Sequence, residues 1–213
     1  MLIEAMRALT ATDVAYEELK RAVLTCQLAP GASVTETRLV ESTGHGRGAV
    51  REALGRLAVE GLVEVQPRRG YRVTDVSLAD VREVFAMRLL LEPYAAEQAA
   101  LHARRADIEA LHELAHASFA DGNRDAYTAY IEANREFHTR LAEASGNRRL
   151  AQAIRQLLEE MQRLLFMSLS SGGQAHEHHD LYDAVLNGDA DAARRVAVRQ
   201  IEDARTRVID SLK

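Results

Sequence analysis

Two groups of side chains in this sequence could do chemistry. The first is basic: Arg47 and Arg51 are four residues apart, and Arg68-Arg69-Gly70 follows soon after, behind Pro67. A guanidinium bonds guanine O6 and N7 as a fork, and a glycine lets backbone approach a sugar-phosphate closely. Arg38 is a further candidate for a phosphate contact. Each arginine has a competing role as a surface ion pair, for instance Arg47 or Arg56 with Glu52 at helical spacing. The second group carries lone pairs: Asn134, His138, His178 and Gln200, with Arg88 and Glu92 upstream.

These groups need elements to aim them. In Gly46–Val73, Val50, Leu54 and Leu57 recur at i, i+4 and i+7, which makes one apolar helix face, with Arg47 and Arg51 on another. Gly61 falls where a left-handed residue ends a helix. Leu62-Val63-Glu64-Val65 then switches to period two, and Tyr71-Arg72-Val73 returns as a second strand, with the arginines at the tip. Upstream, Thr10 or Thr12 caps a first helix reaching about Thr25, with Ala15, Leu19, Ala22, Val23 and Cys26 on its stripe. Pro30-Gly31 breaks the chain. Ser33 to Glu36 has the form of a capping box, Thr35 is an equally good cap, and a short helix follows through about Ser42, burying Leu39 and Val40. Helix, helix, tight turn, helix and two-stranded wing is the order of a winged helix-turn-helix.

From Ser77-Leu-Ala-Asp80, a second capping signal, the pattern is helical, with helices expected near 78–102, 106–121, 123–145, 147–170, 176–187 and 189–212. The breaks fall at Gly122-Asn123, Gly146-Asn147, Gly172-Gly173 and Gly188-Asp189. Short loops between six helices predict a bundle. Asn134 and His138 share an apolar face with Tyr127, Ile131 and Leu141. His178 shares one with Leu181 and Val185, and Gln200 one with Ala193, Val196, Ala204 and Val208. Burying such groups unpaired costs about 1–3 kcal/mol each, so they need one another, water or a ligand. His176 and His179 flank His178 and either take its place or stand in solvent. Arg88 lies on the stripe of Val81, Val84 and Ala95, where it either meets an effector carboxylate or pairs with Glu92 at i, i+4.

Composition sets the frame. A chain of 213 residues that is 47% hydrophobic and 28% charged, without Trp and with three Pro, reads as a soluble helical protein. No apolar run approaches the roughly 18 residues of a membrane helix. The start, MLIEAMRALT, has no signal-type apolar core, and the lone Cys26 cannot make an internal disulfide, so a cytoplasmic protein is expected. The net charge of −5 argues against nucleic acid only until it is divided. Residues 1–76 hold 10 Lys+Arg and 10 Asp+Glu, which leaves 17 and 22 of the totals of 27 and 32 for residues 77–213. Residues 38–72 hold 7 Arg against 4 acids. Local charge governs attraction to phosphate within a Debye length of about 10 Å.

Residues 12–74 resemble the DNA-binding domain of the GntR family of bacterial transcription regulators. The matching residues are Pro30-Gly31, Glu36, Leu39, Arg47, Val50-Arg51-Glu52-Ala53-Leu54, Leu57, Glu60-Gly61-Leu62-Val63, and Pro67-Arg-Arg-Gly70 with Val73. Where the family has Ser-Arg-Thr-Pro, this chain has Gly46-Arg47-Gly48-Ala49, without the capping hydroxyl or the proline. The resemblance implies that Arg47 and Arg51 face the major groove of double-stranded operator DNA, and that Arg68, Arg69 and Gly70 set the wing tip against the minor groove.

The second half resembles the FCD-type ligand-binding domain of the FadR subfamily, through Arg88-(x)3-Glu92, Phe137-His138 with Ser145-Gly146-Asn147, and Glu177-His178 ahead of Ala184 and Gly188-Asp189. That resemblance implies a small-molecule effector, a carboxylate, bound near Arg88, Asn134, His138, His178 and Gln200. It also implies a homodimer. Many members hold a divalent metal such as zinc or nickel with one Asp and three His. That set maps here onto Asn134, His138, His178 and Gln200, so Asn replaces Asp and Gln replaces the last His. The metal ligands that the resemblance implies are Asn134, His138 and His178.

The expected fold is therefore mostly α: a winged helix-turn-helix with a small β-ribbon wing over 1–76, and an all-α effector-binding and dimerisation bundle of about six helices over 77–213. The expected function is a ligand-responsive transcription regulator, a repressor of metabolic genes, with no catalytic residues. A helical metal-dependent enzyme and a non-specific architectural DNA-binding protein are the alternatives. Against the enzyme, no inward carboxylate at useful spacing or activated nucleophile accompanies the histidines.

Overall fold

The computed structural model describes residues 10–117, 124–170 and 178–211. The chain divides into two compact units, Met1–Val76 and Ser77–Lys213. In the first, α1 (Ala11–Leu24) opens on a reciprocal cap: Thr10 Oγ1 accepts from the Asp13 amide, and the Asp13 carboxylate accepts from the Thr10 amide, each at 3.1 Å. Ala15, Leu19 and Val23 are buried, whereas Cys26 lies beyond the helix at φ +52° and is off its stripe. Thr35 caps α2 (Glu36–Thr43), and Ser33 is used instead in a two-residue strand, β1 (Ser33–Val34). Leu39 is buried on α2, and Val40 is half-buried.

Helix α3 (Arg47–Val59) starts from Gly46 with no side-chain cap, so its first amides depend on solvent or a ligand. It ends on Gly61 at φ +73°, where the Leu62 amide donates to the Leu57 carbonyl at 2.9 Å and the Gly61 amide to Ala58 at 3.1 Å. Strands β2 (Val63–Gln66) and β3 (Gly70–Val73) form the wing, with Val63 opposite Val73 and Gln66 opposite Gly70. The expected two-stranded wing is three-stranded: β1 pairs the other edge of β3, giving the order β1-β3-β2. Val50, Leu54 and Leu57 meet Leu19, Val23, Leu39, Val63 and Val73 in one core, which fixes α3 against the sheet. Arg56 reaches Asp13 at 3.0 Å and lies 3.6 Å over the Tyr16 ring, so it ties α3 to α1 and does not pair with Glu52.

The second unit holds α4 (Leu78–His102), α5 (Arg105–Ala115), α6 (Arg124–Ala144), α7 (Arg148–Ser170), α8 (His179–Leu186) and α9 (Ala190–Ser211). Ser77 and Asp80 cap α4 reciprocally, and the helix runs on through Pro93. Phe137, Leu111, Leu181, Val185, Ala96, Ala99, Ala193 and Ala197 form a core shared by α4, α5, α6, α8 and α9. A second cluster, Ala95 with Ala142, Leu150, Ile154 and Leu158, seats α7 on α4 and α6. Gly146 and Gly188 take φ of +76° and +68° where α6 and α8 end, as the breaks in the pattern predict. Gly122-Asn123 and Gly172-Gly173 lie outside the described residues. No helix among the described residues is long and apolar enough to cross a membrane.

Candidate nucleic-acid interface and effector site

Arg38, Arg47, Arg51, Arg68 and Arg69 are all exposed on the first unit. The apolar stripe of α3 faces the core, so its Arg47 and Arg51 face is left outward. Arg51 is not a free cation. Its Nε and one Nη donate to the two carboxylate oxygens of Glu36, at 2.9 and 2.8 Å. The hydrogen bonds from Arg51, helped by its charge and that of Arg47, hold the Glu36 carboxyl below the usual carboxylate range against the opposing effect of burial. The other Nη of Arg51 keeps two N–H groups outside this pair, so the fork is aimed by Glu36 with donors to spare.

The wing tip is a tight turn. The Arg69 amide donates to the Gln66 carbonyl at 2.9 Å, with Pro67 and Arg68 at the corner. Arg68 sits at φ +65°, a conformation that costs a non-glycine residue roughly 1–2 kcal/mol and that glycine or asparagine would adopt more cheaply. Gly70, at φ +96°, has a reason inside the domain that its expected DNA role did not include. A Cβ there would stand 2.5 Å from the Val34 carbonyl oxygen, across the pairing with β1. Gly70→Ala is therefore expected to lower wing stability by at least about 1–2 kcal/mol without any DNA present. Thermal unfolding of the DNA-free protein measures it. An unchanged melting temperature would leave Gly70 with a DNA role alone.

In the bundle, Asn134, His138, His178 and Gln200 are all buried, and all four line one cavity together with Arg88. His178 stands in front of α8 as its N-cap and not within a helix from 176. Its amide donates to the Ala115 carbonyl at 3.2 Å, which ties the start of α8 to the end of α5. Phe137 stacks on that ring at 4.5 Å with 6° between the planes, and His138 meets it edge-on at 4.7 Å. His178 Nε2 lies 2.9 Å from Asn134 Oδ1, while Nδ1 faces Gln200 Oε1 at 3.4 Å. His179 is half-buried, 4.0 Å from the His116 ring, and not in open solvent; His176 lies outside the described residues.

Arg88 combines the two roles open to it in the sequence. It lines the cavity and also pairs with Glu92, donating from Nε at 2.5 Å and from Nη at 3.2 Å. The second Glu92 oxygen lies 3.1 Å from His138 Nδ1. Burial alone would push the Glu92 carboxyl up. The Arg88 and His138 charges and hydrogen bonds outweigh it and hold the group ionised well below the usual range. Sequence reasoning missed Tyr130, Ser168 and Arg207 in the lining. Arg207 had a legible signal: it lies seven residues after Gln200, two turns along the same face. The cavity measures about 30 Å³, which is room for a water or two and far less than a metabolite needs.

The divalent ion that the resemblance implies is a poor fit to these donors. Asn134 and Gln200 flank opposite nitrogens of one imidazole, so their oxygens cannot converge on the same ion. What is left is one neutral carbonyl and two imidazoles, with no anionic ligand. Among the described residues no group of three or more His, Cys, Asp or Glu side chains is placed to hold a metal.

A winged helix-turn-helix joined in one chain to an all-helical domain, with arginines outward on the one and a polar-lined cavity within the other, is the build of a DNA-binding regulator. Residues 11–73 match the gntR family of bacterial regulatory proteins and residues 83–203 match the FCD domain, so the chain belongs to the gntR family and carries an FCD domain. It is 33% identical over 186 residues to an HTH-type transcriptional regulator from an unstable DNA locus of Streptomyces ambofaciens, covering 84% of this chain and 77% of that protein. It is 26% identical over 192 residues to the HTH-type transcriptional repressor RspR of Escherichia coli, covering 88% and 84%. Among solved structures, E. coli McbR/YncC shares the fold with a TM-score of 0.73 at 21% identity, over 97% of this chain and 100% of that one. The Streptomyces and RspR relatives are named as transcriptional regulators, not enzymes, which sets the metal-dependent enzyme aside.

Proposed function

We propose that this regulator binds a palindromic operator as a homodimer and changes its affinity when the bundle takes up a small organic acid. The observation that carries the reading is the convergence of Arg88, Asn134, His138, His178 and Gln200 on one buried cavity in the FCD domain. A cavity of about 30 Å³ must open to admit a metabolite, so binding and a change of shape are the same event. Arg51 and Arg47 read base edges, Arg38 contacts phosphate, and Arg68 and Arg69 on the strained tip reach the minor groove. No part of this switch is routed through zinc or nickel.

Support for the dimer comes from α4. Met87, Leu90, Tyr94 and Leu101 fall within a narrow arc of that helix and are exposed, Leu90 by 70%. Monomers rarely leave such a stripe uncovered. Two heads are also what a few arginines per head require for specificity. Selection of bound sites from random duplexes, with light scattering on the same protein, tests the reading. The expected result is an inverted repeat bound by a dimer. Binding without sequence preference would favour the architectural alternative.

A further inference from the structure

We infer that the FCD cavity of this chain holds an organic anion directly on its own cations, with no metal ion between protein and ligand. The inference rests on the effector reading above and names what replaces the ion. Two guanidinium groups, Arg88 on α4 and Arg207 on α9, line the cavity, no described lining residue is a carboxylate, and Glu92 stands behind Arg88 as its partner. Glu92 is already committed: one oxygen takes Arg88 Nε, the other takes Arg88 Nη and His138 Nδ1. The surplus charge at the cavity is positive. A further cation, divalent and without an anionic ligand, would enter against that charge. A carboxylate entering the same space meets the opposite balance, and Arg207, half-buried, supplies a planar fork suited to it.

The two amides fit the same account. Where an acidic and an imidazole ligand would each offer an ion a strong donor, Asn134 and Gln200 flank the two nitrogens of His178 and fix its ring, while Phe137 stacks on its face. An amide can turn to present either N–H or C=O, so this frame keeps an imidazole satisfied without a metal. His138 is oriented through Nδ1 by Glu92, which leaves its Nε2 outside that pair, able to accept from a hydroxyl of the ligand.

The test uses the full-length protein without a histidine tag. Metal content is measured as purified, and thermal shift and calorimetry follow with succinate, citrate and sulfate, each in chelator and again with added zinc. The expected result is no stoichiometric metal, a melting temperature raised by at least one of the three anions equally in chelator and in zinc, and binding of that anion weakened about tenfold or more by Arg207→Ala. The reverse substitution, Asn134→Asp with Gln200→His, restores the acidic and imidazole ligands. It is expected to acquire stoichiometric zinc and a zinc-dependent rise in melting temperature that wild type lacks. Stoichiometric metal in wild type, or anion binding that vanishes in chelator and returns with zinc, would overturn the inference and leave the effector reading standing. Failure of all three anions to stabilise wild type under either condition would sink both.

Discussion

Glu92→Ala is expected to destabilise the protein by about 3–5 kcal/mol, the cost of leaving a buried guanidinium without its counter-charge. Arg88 and Glu92 are both 4% exposed, so neither group reaches bulk water when the other is removed. For a chain of this size that loss lowers the bundle's melting temperature by on the order of 10 °C. The double variant Arg88→Met with Glu92→Met separates pairing from packing. Removing both charges at once leaves no orphan, and it is expected to recover most of the single variant's loss. Differential scanning calorimetry checks both. A single variant within about 0.5 kcal/mol of wild type would mean that Arg88 finds water or another partner in the cavity.

The same group sets a pH dependence. The folded-state pKa of Glu92 is lowered, so the pair's contribution is complete above the ordinary glutamate value of about 4.3 and is lost as pH falls below it toward the folded value. Melting temperatures of wild type and Glu92→Gln should differ by a constant amount from neutral pH to about pH 5, then converge as the acid limb is entered. A difference that persists undiminished into that limb would mean that ionisation of Glu92 does not stabilise the bundle.

Arg51→Ala is expected to cost about 1–3 kcal/mol of specific operator binding, roughly 5- to 150-fold in affinity. Its effect should concentrate on one base pair of each half-site, because the fork reads an edge and not a phosphate. Arg51→Lys should restore little, since an ammonium cannot form the bidentate contact. Glu36→Gln tests the aiming of the fork. It keeps Arg51 and removes the carboxylate that now holds its Nε and one Nη, so selection at that base pair should relax while phosphate-driven affinity persists. An Arg51→Ala protein that selects the same site with unchanged preference would remove Arg51 from base readout.

By itself the sequence determined which face of each segment is apolar and where segments stop. Val50, Leu54 and Leu57 are buried on α3, Gly61, Gly146 and Gly188 end helices in left-handed geometry, and Asn134 and His138 are buried on α6, all from periods and caps that act within a few residues. The outward arginines followed from the same periods. What the tertiary structure decided was the meeting of faces from distant segments. β1 is two residues long and exists because β3 pairs with it. Glu36 meets Arg51 across fifteen residues, Glu92 meets His138 across forty-six, and Arg207 joins the cavity from the last helix. Local periodicity records that a side chain turns inward and carries nothing about what it will find there. For His178 that difference was the chemistry: the sequence placed a lone-pair donor on a buried face, and packing set amides against its two ring nitrogens.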